Sequence, residues 1–270
     1  MSEQLRRIGT ALVAAPIVIA LAYLGGWWLA ALVAAIGAVA QSELYDMART
    51  AGAHPSPVAG LGLGALIVVA VLVPDAAPAA LAWLVVFVAI APFLLPQEGF
   101  LTSLCVTLAG AVYPTGLLGS LVAIREAPDG GLTGFWLVLL TLFLVWATDI
   151  FAYYTGRSLG TTPLAPTISP NKTWEGSIGG AAAALLVAVG FQWTVLPELS
   201  ALDLAALTVF GGGVSQTGDL AESQIKRSTG TKDASSILPG HGGLFDRFDA
   251  MVVAAPLIYL YLRMATDFFG

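Results

Sequence analysis

The stretch "LTGFWLVLLTLFLVWATDIFAYY", residues 132–154, decides what kind of molecule this is. It is apolar from end to end, with one charged side chain, Asp149. A helix needs about 20 apolar residues to cross a bilayer, and this run supplies them. The rest of the chain has the same texture. Of 270 residues, 57% are hydrophobic and only 10% charged, with a mean hydropathy of +0.85. Soluble domains carry about 25% charged residues. A water-soluble fold of this size has no means of hiding so much apolar surface, so the composition points to an integral membrane protein.

Working outward from residues 132–154, further candidate spans fall at 8–24, 27–46, 58–73, 79–95, 100–124, 177–196, 203–222 and 248–266. The expected fold is an all-α polytopic membrane protein with about nine transmembrane helices. The N-terminal "MSEQLRRIGTALVAAPIVIALAYLGG" has two arginines but no good A-x-A cleavage pattern, and is read as a retained first span. The one cysteine, Cys105, sits in an apolar run and is read as a small core residue. It gives neither a disulfide framework nor a thiolate metal site. No internal repeat stands out, and no polar stretch is long enough for a soluble domain.

Lysine and arginine set the orientation. With nine spans, one side collects Arg6, Arg7, Arg49, Arg157, Lys172, Lys226, Arg227, Lys232 and Arg247, and the other holds Arg125 and Arg263. That bias places the N-terminus in the cytoplasm and the C-terminus outside. The polar loops 155–176 and 223–247 then both face the cytoplasm. The net charge of −6 says little about partners, because the charges are unevenly distributed.

Charges within spans are costly and persist mainly where they face a cavity or a partner. In "SQTGDLAESQIKR", Ser215, Asp219, Glu222, Ser223 and Lys226 recur at helical steps and share one face. A Glu222–Lys226 salt bridge is the plainer reading of part of that stripe. In "LPGHGGLFDRFD", the glycines allow close backbone approach, and Asp246 and Asp249 lie one turn apart at the start of the last span. A helix N-terminus favours anions, so these aspartates read equally as caps or as ligands. His241 reads as a hydrogen-bonding group rather than a general base. In "SPNKTWEG", Ser169, Lys172 and Thr173 suit a phosphate, while Thr173 also suits a helix cap. Asp149 is functional or paired. Glu43 and Asp46, in "QSELYDMA", read as interfacial.

Carboxylates without thiols suit a hard cation such as Mg²⁺, which takes one or two carboxylates and completes its shell with water and phosphates. Lysines and arginines on the same membrane face suit phosphate oxygens. Together they point to phosphoryl or nucleotidyl transfer. Neither G-x-x-x-x-G-K-[ST] nor G-x-G-x-x-G is present, so neither common nucleotide cradle applies.

The segment "SQIKRSTGTKDASSILPGHGGLFDRFD", residues 223–249, resembles the signature of the phosphatidate cytidylyltransferases, or CDP-diacylglycerol synthases. That pattern is S-x-aliphatic-K-R-x4-K-D-x-small-x2-aliphatic-small-x-H-G-G-aliphatic-x-D-R-x-D, and this chain meets it at every charged position. The "SPNKTWEG" loop resembles the family's S-P-x-K-T-x-E-G, and "TDIFAYYTGR" its D-x-x-A-Y-x-x-G-R. The resemblance covers about the C-terminal half. It implies residues 1–130 as N-terminal helices and 131–270 as the catalytic membrane region.

The reaction it implies joins CTP to phosphatidate, giving CDP-diacylglycerol and pyrophosphate in phospholipid synthesis. The enzyme would lie in the cell membrane with its active site facing the cytoplasm. Asp219 and Asp246 are expected to hold Mg²⁺, with Asp249 and Glu222 next; a second cation is left open. Lys226 is expected to neutralise a reacting phosphate. Ser223, Arg227, Lys232 and His241 are expected to contact substrate, with Ser169, Lys172 and Thr173 completing its binding, and Asp149 in support. No nucleic-acid partner is expected, and a homodimer is left open. Two other readings stand beside this one: a CTP-dependent polyprenol kinase, and a transporter with intramembrane carboxylates.

Overall fold

The computed structural model describes residues 3–126, 131–231, 234–235 and 242–269, with side chains from residue 12 onward. The chain is almost wholly helical. In order come α1 Glu3–Leu24, α2 Gly26–Thr50, α3 Pro57–Leu72, α4 Ala77–Leu94, α5 Phe100–Gly110 and α6 Ser120–Glu126. They are followed by α7 Leu132–Leu159, α8 Trp174–Thr194, α9 Ala201–Thr208, α10 Gln216–Ser228 and α11 Phe245–Ala265. Between α7 and α8 lies a small antiparallel hairpin, β1 Pro163–Ala165 and β2 Ser169–Thr173.

Among the described residues, six helical stretches are long and apolar enough to cross a membrane: Gly26–Thr50, Pro74–Leu94, Phe100–Glu126, Leu132–Leu159, Trp174–Thr194 and Phe245–Ala265. Leu12–Leu24 and Pro57–Leu72 are shorter apolar helices. The expected span 203–222 is broken locally. There α9 gives way to a π-helical stretch, Val209–Val214, through three consecutive glycines before α10 resumes. A second π-helical stretch, Ala111–Gly116, contains Pro114, whose ring denies the helix an N–H and forces the ladder to widen.

The chain forms two compact units: residues 1–123 with 225–248, and residues 124–224 with 249–270. In the first unit, α2 buries Leu29, Val33, Gly37, Ala40, Gln41 and Leu44, a helical stripe. A polar chain runs through this apolar packing. Thr115 Oγ1 donates to Gln41 Oε1 at 2.9 Å, Gln41 Nε2 donates to Tyr45 Oη at 2.7 Å, and Tyr45 Oη donates to the Thr107 carbonyl at 2.6 Å. The side chains of Thr115, Gln41 and Tyr45 thus find partners in one another and in the Thr107 carbonyl, as an apolar surround demands. Gly60 and Gly110 make room for the Tyr45 ring, and a methyl at Gly60 would strike the hydroxyl. Gly60→Ala is therefore expected to cost about 2 kcal/mol, through overpacking and the loss of a buried hydrogen bond. Thermal unfolding in detergent should show a midpoint several degrees lower.

In the second unit, α7 and α8 lie backbone against backbone. Gly176 and Gly180 face Ala152, Gly156 and Thr148, with no space for a side chain. Small residues at helical spacing permit this approach in membrane helices. Thr148 Oγ1 donates to the Leu144 carbonyl at 2.7 Å and reaches the Gly211 carbonyl at 3.3 Å. Gly218 sits directly on the backbone of Asp249 and Ala250, so α10 and the Asp249–Ala265 part of α11 touch main chain to main chain. Asp203, in a capping box with Ser200, accepts a 2.6 Å hydrogen bond from Tyr261 Oη and ties α9 to α11.

Three expectations change. Cys105 is exposed rather than a core residue. Its neighbours Ser103 and Thr107 turn their hydroxyls inward instead, donating or accepting bonds in the buried face of α5. Ser215, expected on the polar stripe of α10, precedes that helix and turns its hydroxyl back to the Gly211 carbonyl at 2.7 Å. Glu43, read as an interfacial side chain, is enclosed by protein. It is 2% exposed, whereas Asp46 lies on the surface and pairs with Arg49 at 2.6 Å.

Candidate functional site

The second unit gathers a cluster of carboxylates and one lysine. Thr173 ends β2 and caps α8, its hydroxyl accepting the Gly176 N–H at 3.1 Å. The hairpin is tied to the first turn of α8. Trp174 N donates to the Thr162 carbonyl at 2.9 Å, and Glu175 accepts the hydroxyls of Thr161 and Thr162, each at 2.8 Å. Lys172, one residue before the cap, is thereby held facing α10. Its Nζ lies 2.5 Å from Asp219 Oδ2. The cap reading and the phosphate reading of "SPNKTWEG" are thus compatible: Thr173 holds the helix while Lys172 reaches away from it.

Asp219 and Glu222 lie three residues apart on α10 and share a face. The Gly218 contact brings α11 close enough for Asp249 to hydrogen-bond the Asp219 carboxyl, with Glu222 in electrostatic range. Glu222 and Asp249 are 3% and 5% exposed, while the side chains of Asp219 and Lys172 remain 30% and 28% open. Three carboxyl groups this close repel one another unless protons or a cation lie among them. Lys172 supplies one positive charge, at the open end.

The donor set can be tested against a divalent ion. All three acids offer hard oxygens, which fits Mg²⁺ rather than zinc. Among the described residues, no three His, Cys, Asp or Glu side chains form a ready-made cage. Mg²⁺ needs none, since water and substrate phosphates fill most of its shell. The residues fit on that basis.

The first unit holds a second polar cluster. Lys226 Nζ lies 2.9 Å from Asp246 Oδ1, and both side chains are largely buried. Asp246 Oδ2 accepts the N–H groups of Gly243 at 2.9 Å and Ala234 at 3.3 Å. Gly242 adopts φ +76°, a turn that glycine makes without strain. Glu43, from α2, accepts from Ser235 Oγ at 2.5 Å, Leu244 N at 3.1 Å and Phe245 N at 2.7 Å.

Of the other residues singled out in the sequence, Ser169 opens β2 and Ser223 lies mid-α10, both half-buried. Arg227 is exposed near the end of α10, and Asp149 is exposed on α7. Lys232 and His241 lie outside the described residues. Glu43 is the residue that sequence reasoning missed. A carboxylate at the end of an apolar helix gives no sign of burial. The one available signal was its place beside the buried stripe Gly37, Ala40, Gln41 and Leu44.

Residues 5–265 match the model of the cytidylyltransferase family. A phosphatidate cytidylyltransferase of Brucella abortus is 50% identical over 136 residues, 47% of this chain and 47% of that protein. In that comparison the chain spans about half the length of its relative. The protein of the same name from Bacillus subtilis is 37% identical over 172 residues, 64% of this chain and 61% of its own. The one from Synechocystis is 30% identical over 282 residues, 95% of this chain and 96% of its own. With a family match reaching from the first helix to the last, this chain belongs to the cytidylyltransferase family.

Proposed function

We propose that this protein makes CDP-diacylglycerol and pyrophosphate from CTP and phosphatidate. The observation that carries the reading is the cluster of Lys172, Asp219, Glu222 and Asp249, in a chain of this family with several apolar helices. A phosphate oxygen of phosphatidate attacks the α-phosphorus of CTP. The new P–O–P linkage forms as the bond to the β-phosphate oxygen breaks, and pyrophosphate leaves with that electron pair. The nucleophile is already an anion near neutral pH, so it needs no strong general base. The difficulty is bringing two anions together, and the residues answer that with positioned charge. Lys172 and Lys226 meet phosphate oxygens. Asp219, Glu222 and Asp249 are proposed to hold Mg²⁺, with Asp246 as a further ligand on the strength of the sequence motif. Bound there, Mg²⁺ would neutralise charge on the phosphates. Ser169, Thr173, Ser223, Arg227, Lys232 and His241 are proposed as substrate contacts and Asp149 as support. Nine spans are proposed as well; given that count, the lysine and arginine bias supports a cytoplasmic N-terminus and a reaction at the inner face of the cell membrane.

The test uses purified protein in detergent with phosphatidate and CTP labelled in the cytosine ring. Label is expected in a CDP-lipid, with pyrophosphate released. EDTA should bring turnover to background, and added Mg²⁺ should restore it. Labelled CDP with an unlabelled lipid product would mean a kinase. Solute flux across sealed liposomes without CTP consumption would mean a transporter. Full turnover in EDTA would remove the metal from the scheme.

A further inference from the structure

We propose that Glu43 is a positioning residue for the lysine–aspartate pair Lys226–Asp246, an inference that rests on the transferase reading above. A carboxylate buried among membrane helices is costly unless donors surround it. Glu43 has three: Ser235 Oγ, Leu244 N and Phe245 N. The last two are N–H groups at the start of α11, which have no partner within the helix. Glu43 thus caps α11 from a helix some 200 residues earlier in sequence. The backbone is shaped to admit it. A Cβ at Gly243 would lie 2.6 Å from Glu43 Oε2 and 2.9 Å from the Ala234 Cβ.

The arrangement is a clasp on two short segments, and Asp246 closes the same one. Glu43 takes Ser235, Leu244 and Phe245, while Asp246 takes the flanking Ala234 and Gly243 N–H groups. Each carboxylate therefore fixes donors adjacent to those of the other. Loosening Glu43 shifts the N–H groups that orient Asp246, and with them the oxygen that faces Lys226 at 2.9 Å. Glu43 touches no reacting atom in this account. It acts through the loop.

Two variants and two readouts test this. Glu43→Gln keeps the shape but turns one acceptor into a donor facing N–H groups. Ser235→Ala removes a single bond of the clasp. Hydrogen exchange followed by mass spectrometry should show faster exchange at residues 242–246 in Glu43→Gln, with the other helices unchanged. Kinetically, kcat should fall about 10- to 100-fold, the range seen when an orienting partner is lost, with KM for CTP within threefold of wild type. Ser235→Ala should show a smaller change of the same kind. Wild-type kcat, or unchanged exchange at residues 242–246, would overturn the inference. So would a loss of stability with kcat per folded molecule intact. Should Glu43→Gln fail to fold, Ser235→Ala carries both readouts, and full kcat with unaltered exchange in it overturns the clasp. A wild-type protein that makes no CDP-lipid would defeat the functional reading alone, because the exchange experiment judges the clasp without turnover.

Discussion

Asp219→Asn is expected to lower CTP turnover by a factor of about 10²–10³, the loss typical of removing one charged group aimed at a transition state. The reasoning starts from the neighbours. Asp219 is the most open of three acids and the one that meets Lys172, at 2.5 Å. Asparagine keeps the size of the side chain but removes its charge, so the ion pair becomes a simple hydrogen bond. The cluster also loses one of its three candidate cation donors. Two consequences separate this from a general loss of fold. The Mg²⁺ concentration for half-maximal turnover should rise, and the thermal midpoint should hardly move, because a side chain 30% exposed leaves no buried charge stranded. Taking one acid out of a crowded cluster relieves repulsion, so the variant is expected to be at least as stable as the wild type without added metal. A folded Asp219→Asn protein with wild-type, Mg²⁺-dependent turnover would defeat the assignment of this residue.

What the sequence could convey depends on whether a residue's role is local. Helix periodicity put Asp219, Glu222 and Lys226 on one face of α10, and the structure keeps all three on that helix. Thr173 was legible as a cap because capping depends on residues three apart in sequence. The apolar runs showed where helices lie, but not where they bend. The π-helical stretch at Val209–Val214 lies where Gly211 fits closely against Leu144 and Gly212 against Ala181 and Ala184, which are tertiary contacts. Glu43 escaped for the same reason. Its donors are about 200 residues away, and no pattern around "QSELYDMA" announces them. Lys172 could be read as cationic, but its partner Asp219, 47 residues on, could not. Cys105 was misplaced because hydrophobic context does not distinguish a lipid-facing position from a core position when both are apolar.

Lys226→Met is expected to reduce turnover about 10²- to 10³-fold, for the same electrostatic reason that applies to Asp219. Its interpretation needs a second variant. Lys226 lies 2.9 Å from Asp246, and the pair is largely buried. Removing one member of a buried pair strands the other's charge, which can destabilise a protein without any catalytic meaning. Asp246 would retain its two backbone donors, Gly243 N and Ala234 N, so the strain should be partial. The double variant Lys226→Met with Asp246→Asn removes both charges and strands neither. If the lysine does no more than balance the aspartate, activity should return in the double variant. If either residue takes part in the chemistry, as proposed for the lysine at a phosphate and the aspartate at the metal, the double variant should stay as inactive as Lys226→Met while regaining thermal stability. The second outcome is expected, because one ammonium group has more than one hydrogen to give, and the motif that carries Lys226 also carries Arg227 beside it. Turnover, KM for CTP and the unfolding midpoint of the three proteins give a complete cycle, in which coupling between the two residues is read directly. Recovery of turnover in the double variant would make the pair a structural ion pair and take both residues out of the chemistry.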